Sequence, residues 1–144
     1  MVYVSDLRGV RLTRQRVAVL QAVQRLGIFS SAQMIHGELE RGPNPVGLST
    51  VYRSLQLLAD RRSIDAVRSP GGEILYRGCS GNHHHMVCRR CGAALEIPDE
   101  AVGRLVEQWT QHAGYLDVEH TLTIFGTCPE CKARPDAANG NRSQ

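Results

Sequence analysis

The chain of 144 residues has no apolar run near the roughly 18 residues that a bilayer-spanning helix needs. Its opening stretch, Met1 to Val10, lacks the apolar core of a signal peptide. Both absences lead to the expectation of a cytoplasmic protein with no membrane partner. An even set of cysteines is also missing. There are five, and in a reducing compartment an odd number of thiols favours metal ligation over disulfides. Two halves of about 70 residues would each be marginal as independent cores, so a small domain of this chain needs a staple such as a bound metal.

Acidic residues are scarce early in the chain. Residues 1–80 hold 11 Arg against 6 Asp or Glu, a net of +5, whereas residues 81–144 hold 6 Lys or Arg against 8 Asp or Glu, a net of −2. The split suggests that one part meets a polyanion and the other has a separate task, although a solvated basic surface explains charge alone equally well.

Apolar spacing predicts three short helices first. Thr13 caps a helix with Val19, Ala22, Val23 and Leu26 on one stripe and Gly27 at its end. Ser30 to Gln33 reads as a capping box before Ile35 and Leu39, with Gly42 and Pro43 as the stop. Ser49 is the expected cap of a third helix that points Val51, Leu55, Leu58 and Ala59 inward. Residues 64–68 and 73–77 flank a Ser-Pro-Gly-Gly turn and read as a two-stranded wing, so residues 1–78 form a winged helix-turn-helix. The small, aperiodic residues 79–82 read as a hinge.

Residues 83–133 form the expected second domain. It starts with a strand pair over 83–97. Asp99 and Glu100 then open a fourth helix carrying Val102, Leu105, Val106 and Trp109, closed by Gly114, before a last strand alternates Val118, His120, Leu122 and Ile124 onto one face. Residues 134–144 are polar and patternless, the composition of a disordered tail.

With the apolar stripe of the third helix turned inward, Thr50, Tyr52, Arg53 and Gln56 stay outside on its amino-terminal half, where a recognition helix reads bases. Arg11, Arg14 and Arg16 are placed to hold the phosphate backbone. A merely solvated helix face is the alternative.

Two Cys-x-x-Cys pairs, Cys88/Cys91 and Cys128/Cys131, have the spacing of a closed tetrahedral zinc site. In an extended run, alternation puts His83 and His85 on one face and His84 on the other. His83 and His85, with Cys79 in the hinge and Asp65 in the wing, make a second four-ligand set that straddles the domains. A metal held there favours one relative orientation and so makes a switch. Ordinary roles compete at this stage: Asp65 pairing with an arginine, Cys79 as a small buried residue, His84 and His120 as core histidines.

Taken together, Leu-Thr-Arg-Gln-Arg (Leu12 to Arg16), Ser-Ala-Gln (Ser31 to Gln33), Gly-Leu-Ser-Thr-Val-Tyr-Arg-Ser-Leu (Gly47 to Leu55), Val-Cys-Arg-Arg-Cys-Gly (Val87 to Gly92) and Phe-Gly-Thr-Cys-Pro-Glu-Cys (Phe125 to Cys131) make the chain resemble the ferric-uptake-regulator superfamily over roughly residues 7–132. Its zinc-uptake branch is the nearest in pattern. The resemblance implies an α+β homodimer, with an amino-terminal winged helix and a small carboxy-terminal α/β dimerisation domain, that represses transcription on double-stranded DNA when its metal is bound. It further implies structural zinc on Cys88, Cys91, Cys128 and Cys131, regulatory zinc on Asp65, Cys79, His83 and His85, and thus two zinc ions per subunit, with Tyr52 and Arg53 as the DNA-contacting pair. A third site of the zinc-sensing relatives falls here on Asn82, His84, Gly103 and His120. Two of those four cannot ligate as the family does, which leaves a degenerate site with Glu100 or Glu107 as substitute carboxylates. Within the family an iron, manganese or peroxide sensor is the second reading, opposed by the soft Cys79 ligand. A zinc hydrolase or nuclease is the remote third, opposed by a ligand set already full at four.

Overall fold

The computed structural model describes Gly9 and residues 11–78 and 84–134. The expected hinge, with Cys79 and His83, and residues 135–144 of the expected tail lie outside the described residues.

Helix α1 (Arg14–Leu26) begins where the Thr13 hydroxyl accepts from the Arg16 N–H and ends at Gly27, whose φ of 63° suits glycine. After the short strand β1 (Ser30–Ser31) comes α2 (Ala32–Glu40), capped by Ser31, whose side chain accepts from the Met34 N–H. The cap is thus one residue later than the Ser30 capping box, because the Ser30 hydroxyl donates to the Ile28 carbonyl at 3.2 Å and the Ser31 hydroxyl is the one turned to the helix. Helix α3 (Leu48–Asp60) starts at Gly47 without a side-chain cap, so Ser49 sits inside the helix and does not cap it. The extended backbone at Gly47 makes the break, and its carbonyl accepts from the Val51 N–H.

Val19, Val23, Ile35, Val51, Leu55 and Leu58 are buried together between the three helices, and Tyr76 closes the cluster from the sheet. That sheet has the order β1-β3-β2, with β2 (Asp65–Arg68) and β3 (Ile74–Arg77) antiparallel as the wing.

The second sheet, ordered β5-β4-β6, sets β4 (His84–Cys88) antiparallel to β5 (Ala94–Ile97) and parallel to β6 (Thr123–Gly126). Helix α4 (Asp99–Ala113) makes the crossover that a parallel pair requires and stops at Gly114. The expected last strand is shorter than its alternation suggested. Its ladder stops before Thr123 because the Leu122 N–H donates to His84 Nδ1 at 3.0 Å, which leaves Val118 and His120 outside any strand. A short helix, α5 (Pro129–Ala133), follows with Cys128 as its cap. Among the described residues, no helix is long and apolar enough to cross a membrane.

The stripe on α4 is where the sequence misleads most. Val102 is buried, but Leu105 and Trp109 are 57% and 70% exposed. Leu95, Met86 and Ile124 are exposed as well, and the strand register sets them side by side across one face of the second sheet.

Leu55 is fully buried, so Leu55→Ala should lower the unfolding free energy by about 2–5 kcal/mol. Urea denaturation followed by circular dichroism measures this. A loss below about 1 kcal/mol would mean that the three helices do not share this core.

Candidate metal centres and nucleic-acid interface

Cys88 ends β4, Cys91 lies in the turn after it, and Cys128 and Cys131 cap and enter α5. The four Sγ atoms lie within 4.8 Å of one another, and none is in a disulfide. Cys91 Sγ and Cys128 Sγ are 3.8 Å apart. A tetrahedral ion with metal–sulfur bonds of about 2.3 Å would space its sulfurs by about 3.8 Å, so the set fits zinc. The surrounding backbone is arranged for thiolates. The Cys128 N–H donates to Cys88 Sγ at 3.3 Å and the Cys131 N–H to Cys128 Sγ at 3.4 Å.

These contacts divide the thiols. Burial works to raise Cys88, but the N–H groups of Cys128, Cys91 and Arg90 together outweigh it and bring the thiol down to about 6. The Cys128 thiol, then burial, pushes Cys131 up to about 12. Cys91 is pulled down by the Ala93 N–H, yet burial and the Cys88 thiol raise it on balance. One sulfur is therefore ready as an anion while others still carry protons that a cation must displace.

At the junction of the two sheets, Asp65 Oδ2 lies 3.5 Å from His85 Nε2, with both side chains largely buried. That is long for a charged hydrogen bond, and it is close to the separation of about 3.3 Å between two N/O ligands on one tetrahedral zinc. Asp65 Oδ2 is buried without a hydrogen-bond partner, which suits a ligand atom. The other two expected ligands, Cys79 and His83, lie outside the described residues.

His84 turns to the opposite face from His85, as alternation required. Its Nε2 is 2.9 Å from Asp99 Oδ1, the same oxygen that lies 3.3 Å from His120 Nε2, and the two rings stack with centroids 5.1 Å apart. Because Nδ1 accepts from the Leu122 N–H, the proton of neutral His84 sits on Nε2 and is donated to Asp99. This hydrogen bond, with the nearby His120, keeps the Asp99 carboxyl below its usual range against a smaller opposing effect of desolvation.

On α3, Tyr52, Arg53 and Gln56 are exposed and Thr50 is half-buried, with Arg53 donating to the Thr50 hydroxyl at 3.4 Å. Arg11 and Arg14 are exposed, while Arg16 donates to the Arg11 carbonyl at 2.7 Å and is half-buried. The face is thus cationic and polar along the start of the helix.

A model of the ferric uptake regulator family matches residues 7–125. The chain belongs to that family. It is 44% identical over 126 residues to the zinc uptake regulation protein of Mycobacterium tuberculosis, covering 87% of this chain and 97% of that protein. Among solved structures it is similar to FurB from M. tuberculosis, a zinc uptake regulator, with 44% identity, 85% of this chain and 96% of the other covered, and a TM-score of 0.50. It is also similar to a zinc uptake regulator complexed with zinc and DNA, at 26% identity, 87% and 85% coverage and a TM-score of 0.65.

In this member of the ferric uptake regulator family, the carboxylate brought to His84 and His120 is Asp99, not Glu100 or Glu107. The sequence had marked Asp99 only as a first-turn acid of α4. What was not legible was that the same turn lies beside the start of β4.

If Cys91 and Cys131 are protonated at neutral pH, zinc binding there must release both protons. Its apparent affinity at the four cysteines should therefore fall by about two decades or more for each unit of acidification near pH 7. Competition with a chelator of known affinity across pH 6–8 measures the slope, and a flat response would show that the thiols do not share the protons as described.

Proposed function

We propose that this chain is a zinc-responsive transcriptional repressor that acts as a homodimer on palindromic operators. The observation that carries this reading is the approach of Asp65, from the wing sheet, to His85, from the second sheet, at 3.5 Å. Ligands from two lobes make metal binding depend on how the lobes are arranged. The relatives named above support zinc as the metal and DNA as the partner.

In this reading Cys88, Cys91, Cys128 and Cys131 hold structural zinc, and Asp65, Cys79, His83 and His85 hold the regulatory ion. Cys79 supplies the thiolate that favours zinc over iron or manganese. The division follows as winged helix 1–78, hinge 79–82 and dimerisation domain 83–133. Bound zinc supplies free energy that favours one spacing of the two winged helices. Tyr52, Arg53, Thr50 and Gln56 then enter successive major grooves, while Arg11, Arg14 and Arg16 neutralise phosphates.

We assign His84, Asp99 and His120 as a hydrogen-bonded clasp between β4 and α4, and not as a third zinc site. A zinc on His84 Nε2 would need the position that its proton occupies, and the Leu122 N–H blocks the shift of that proton to Nδ1. The count is then two zinc ions per chain. The dimer face follows from the apolar row Leu95, Met86 and Ile124 together with Leu105 and Trp109, all exposed in the single chain.

Zinc should tighten operator binding by about 5- to 150-fold, the usual span of an allosteric coupling, and Asp65→Ala should remove that gain. Fluorescence anisotropy in buffered zinc and in chelator measures it; equal affinities in the parent protein end the proposal. Metal analysis should give two zinc ions per chain in the parent and in Asp99→Asn, and a third ion lost on that substitution would overturn the clasp. Met86→Glu should shift the protein toward monomer in light scattering, and an intact dimer would place the interface elsewhere.

A further inference from the structure

Phe29 follows the α1 cap by two residues, yet its ring does not join the core of the three helices. It is 2% exposed and packs with Val67 and Val87, flanked by Leu75, Ala94 and Phe125, so its neighbours come from both sheets. The backbone is held as well. The Phe29 N–H donates to the Gly92 carbonyl at 2.9 Å. Gly92 closes the turn that carries Cys88 and Cys91, its own N–H donating to the Cys88 carbonyl at 2.9 Å. With φ at +76°, Gly92 is buried, and an added Cβ would fall well inside 3.0 Å of the Phe29 carbonyl oxygen. Only glycine lets the two segments touch. On its other side the Phe29 ring meets His85 edge-on, with centroids 5.2 Å apart and planes at 82°.

One residue of the winged helix therefore contacts both the cysteine turn and a ligand proposed for the hinge. The geometry points to Phe29 and Gly92 as positioning residues for the zinc response: a latch that seats the winged helix on the cysteine turn and presents Asp65 to His85 before metal arrives. This inference rests on the hinge-site reading above. In a two-state protein, apparent ligand affinity scales with the fraction already in the competent arrangement. A latch raises that fraction. Its loss changes how much zinc is needed, while saturating zinc still restores the same DNA-binding form.

The test titrates full-length protein on operator DNA in buffered zinc, comparing Phe29→Ala, Phe29→Leu, Gly92→Ala and Asp65→Ala with the parent. Phe29→Ala and Gly92→Ala should raise the zinc concentration at half-saturation by about tenfold while reaching operator affinities within about twofold of the parent at saturation. Phe29→Leu, which keeps most of the buried area, should stay within about threefold of the parent in zinc requirement. Chelator-resistant zinc should remain at one ion per chain in Phe29→Ala. Should Gly92→Ala lose that ion, Phe29→Ala alone decides, since it leaves the cysteine turn untouched. An unchanged half-saturation in Phe29→Ala overturns the latch, and so does a loss of operator affinity that saturating zinc fails to restore. Asp65→Ala separates the two readings. If it also leaves the zinc dependence intact, the hinge site is wrong; if it abolishes the dependence while the Phe29 and Gly92 variants match the parent, only the latch is wrong.

Discussion

The convergence of Cys88, Cys91, Cys128 and Cys131 is the constraint on which the second half of the chain depends. Beyond residue 83, the buried apolar side chains among the described residues are Val87, Cys88, Val102 and Cys131, so half of that core is cysteine. So small an apolar core does not offset the entropy of ordering a sheet and two helices. A tetrahedral ion closing the four sulfurs would join the end of β4 to the cap of α5, and its binding free energy would become folding free energy. The same turn offers the Gly92 carbonyl to Phe29, so the staple of one lobe is also the seat of the other.

Strand β4 distributes the remaining tasks by simple alternation. His85 and Val87 face the wing, where His85 meets Asp65 and Phe29 and Val87 joins the shared apolar cluster. His84 and Met86 face the other way. His84 holds α4 through Asp99, and Met86 lies in the exposed apolar row between Leu95 and Ile124. One short strand in the centre of its sheet thus carries the contact with Asp65, the hydrogen bond to Asp99 and the middle of the exposed apolar row. A slip of one residue in register would exchange all of them.

Much of this was legible because it depends on local patterns. The Thr13 cap, the Gly27 and Gly114 ends, the wing around Ser69 to Gly72 and the opposed faces of His84 and His85 follow from periods of 3.6 and 2 and from glycine at positive φ. Errors arose where a side chain competed for a backbone group. Leu122 gives its N–H to His84, so the alternating run before Thr123 never becomes a strand, and the Ser30 hydroxyl is taken by the Ile28 carbonyl, so the cap moves to Ser31. Helix α4 carries the apolar stripe that its spacing predicts, with Leu105 and Trp109 exposed. Periodicity states that a face avoids water, but not whether its cover comes from the same chain.

By itself, the sequence determined which chemical groups are on hand: four paired cysteines, histidines split between faces, a fifth cysteine shortly after the residues of the wing, and arginine concentrated in residues 1–80. Those properties reside in residue type and short spacing, which no tertiary arrangement alters. Only the folded structure decided which groups meet across long separations. Asp99 reaches His84 and His120 because the α4 crossover lays its first turn beside β4, and Asp65 reaches His85 and Phe29 rests on Gly92 because the two lobes pack together; nothing in the sequence spacing encodes those distances.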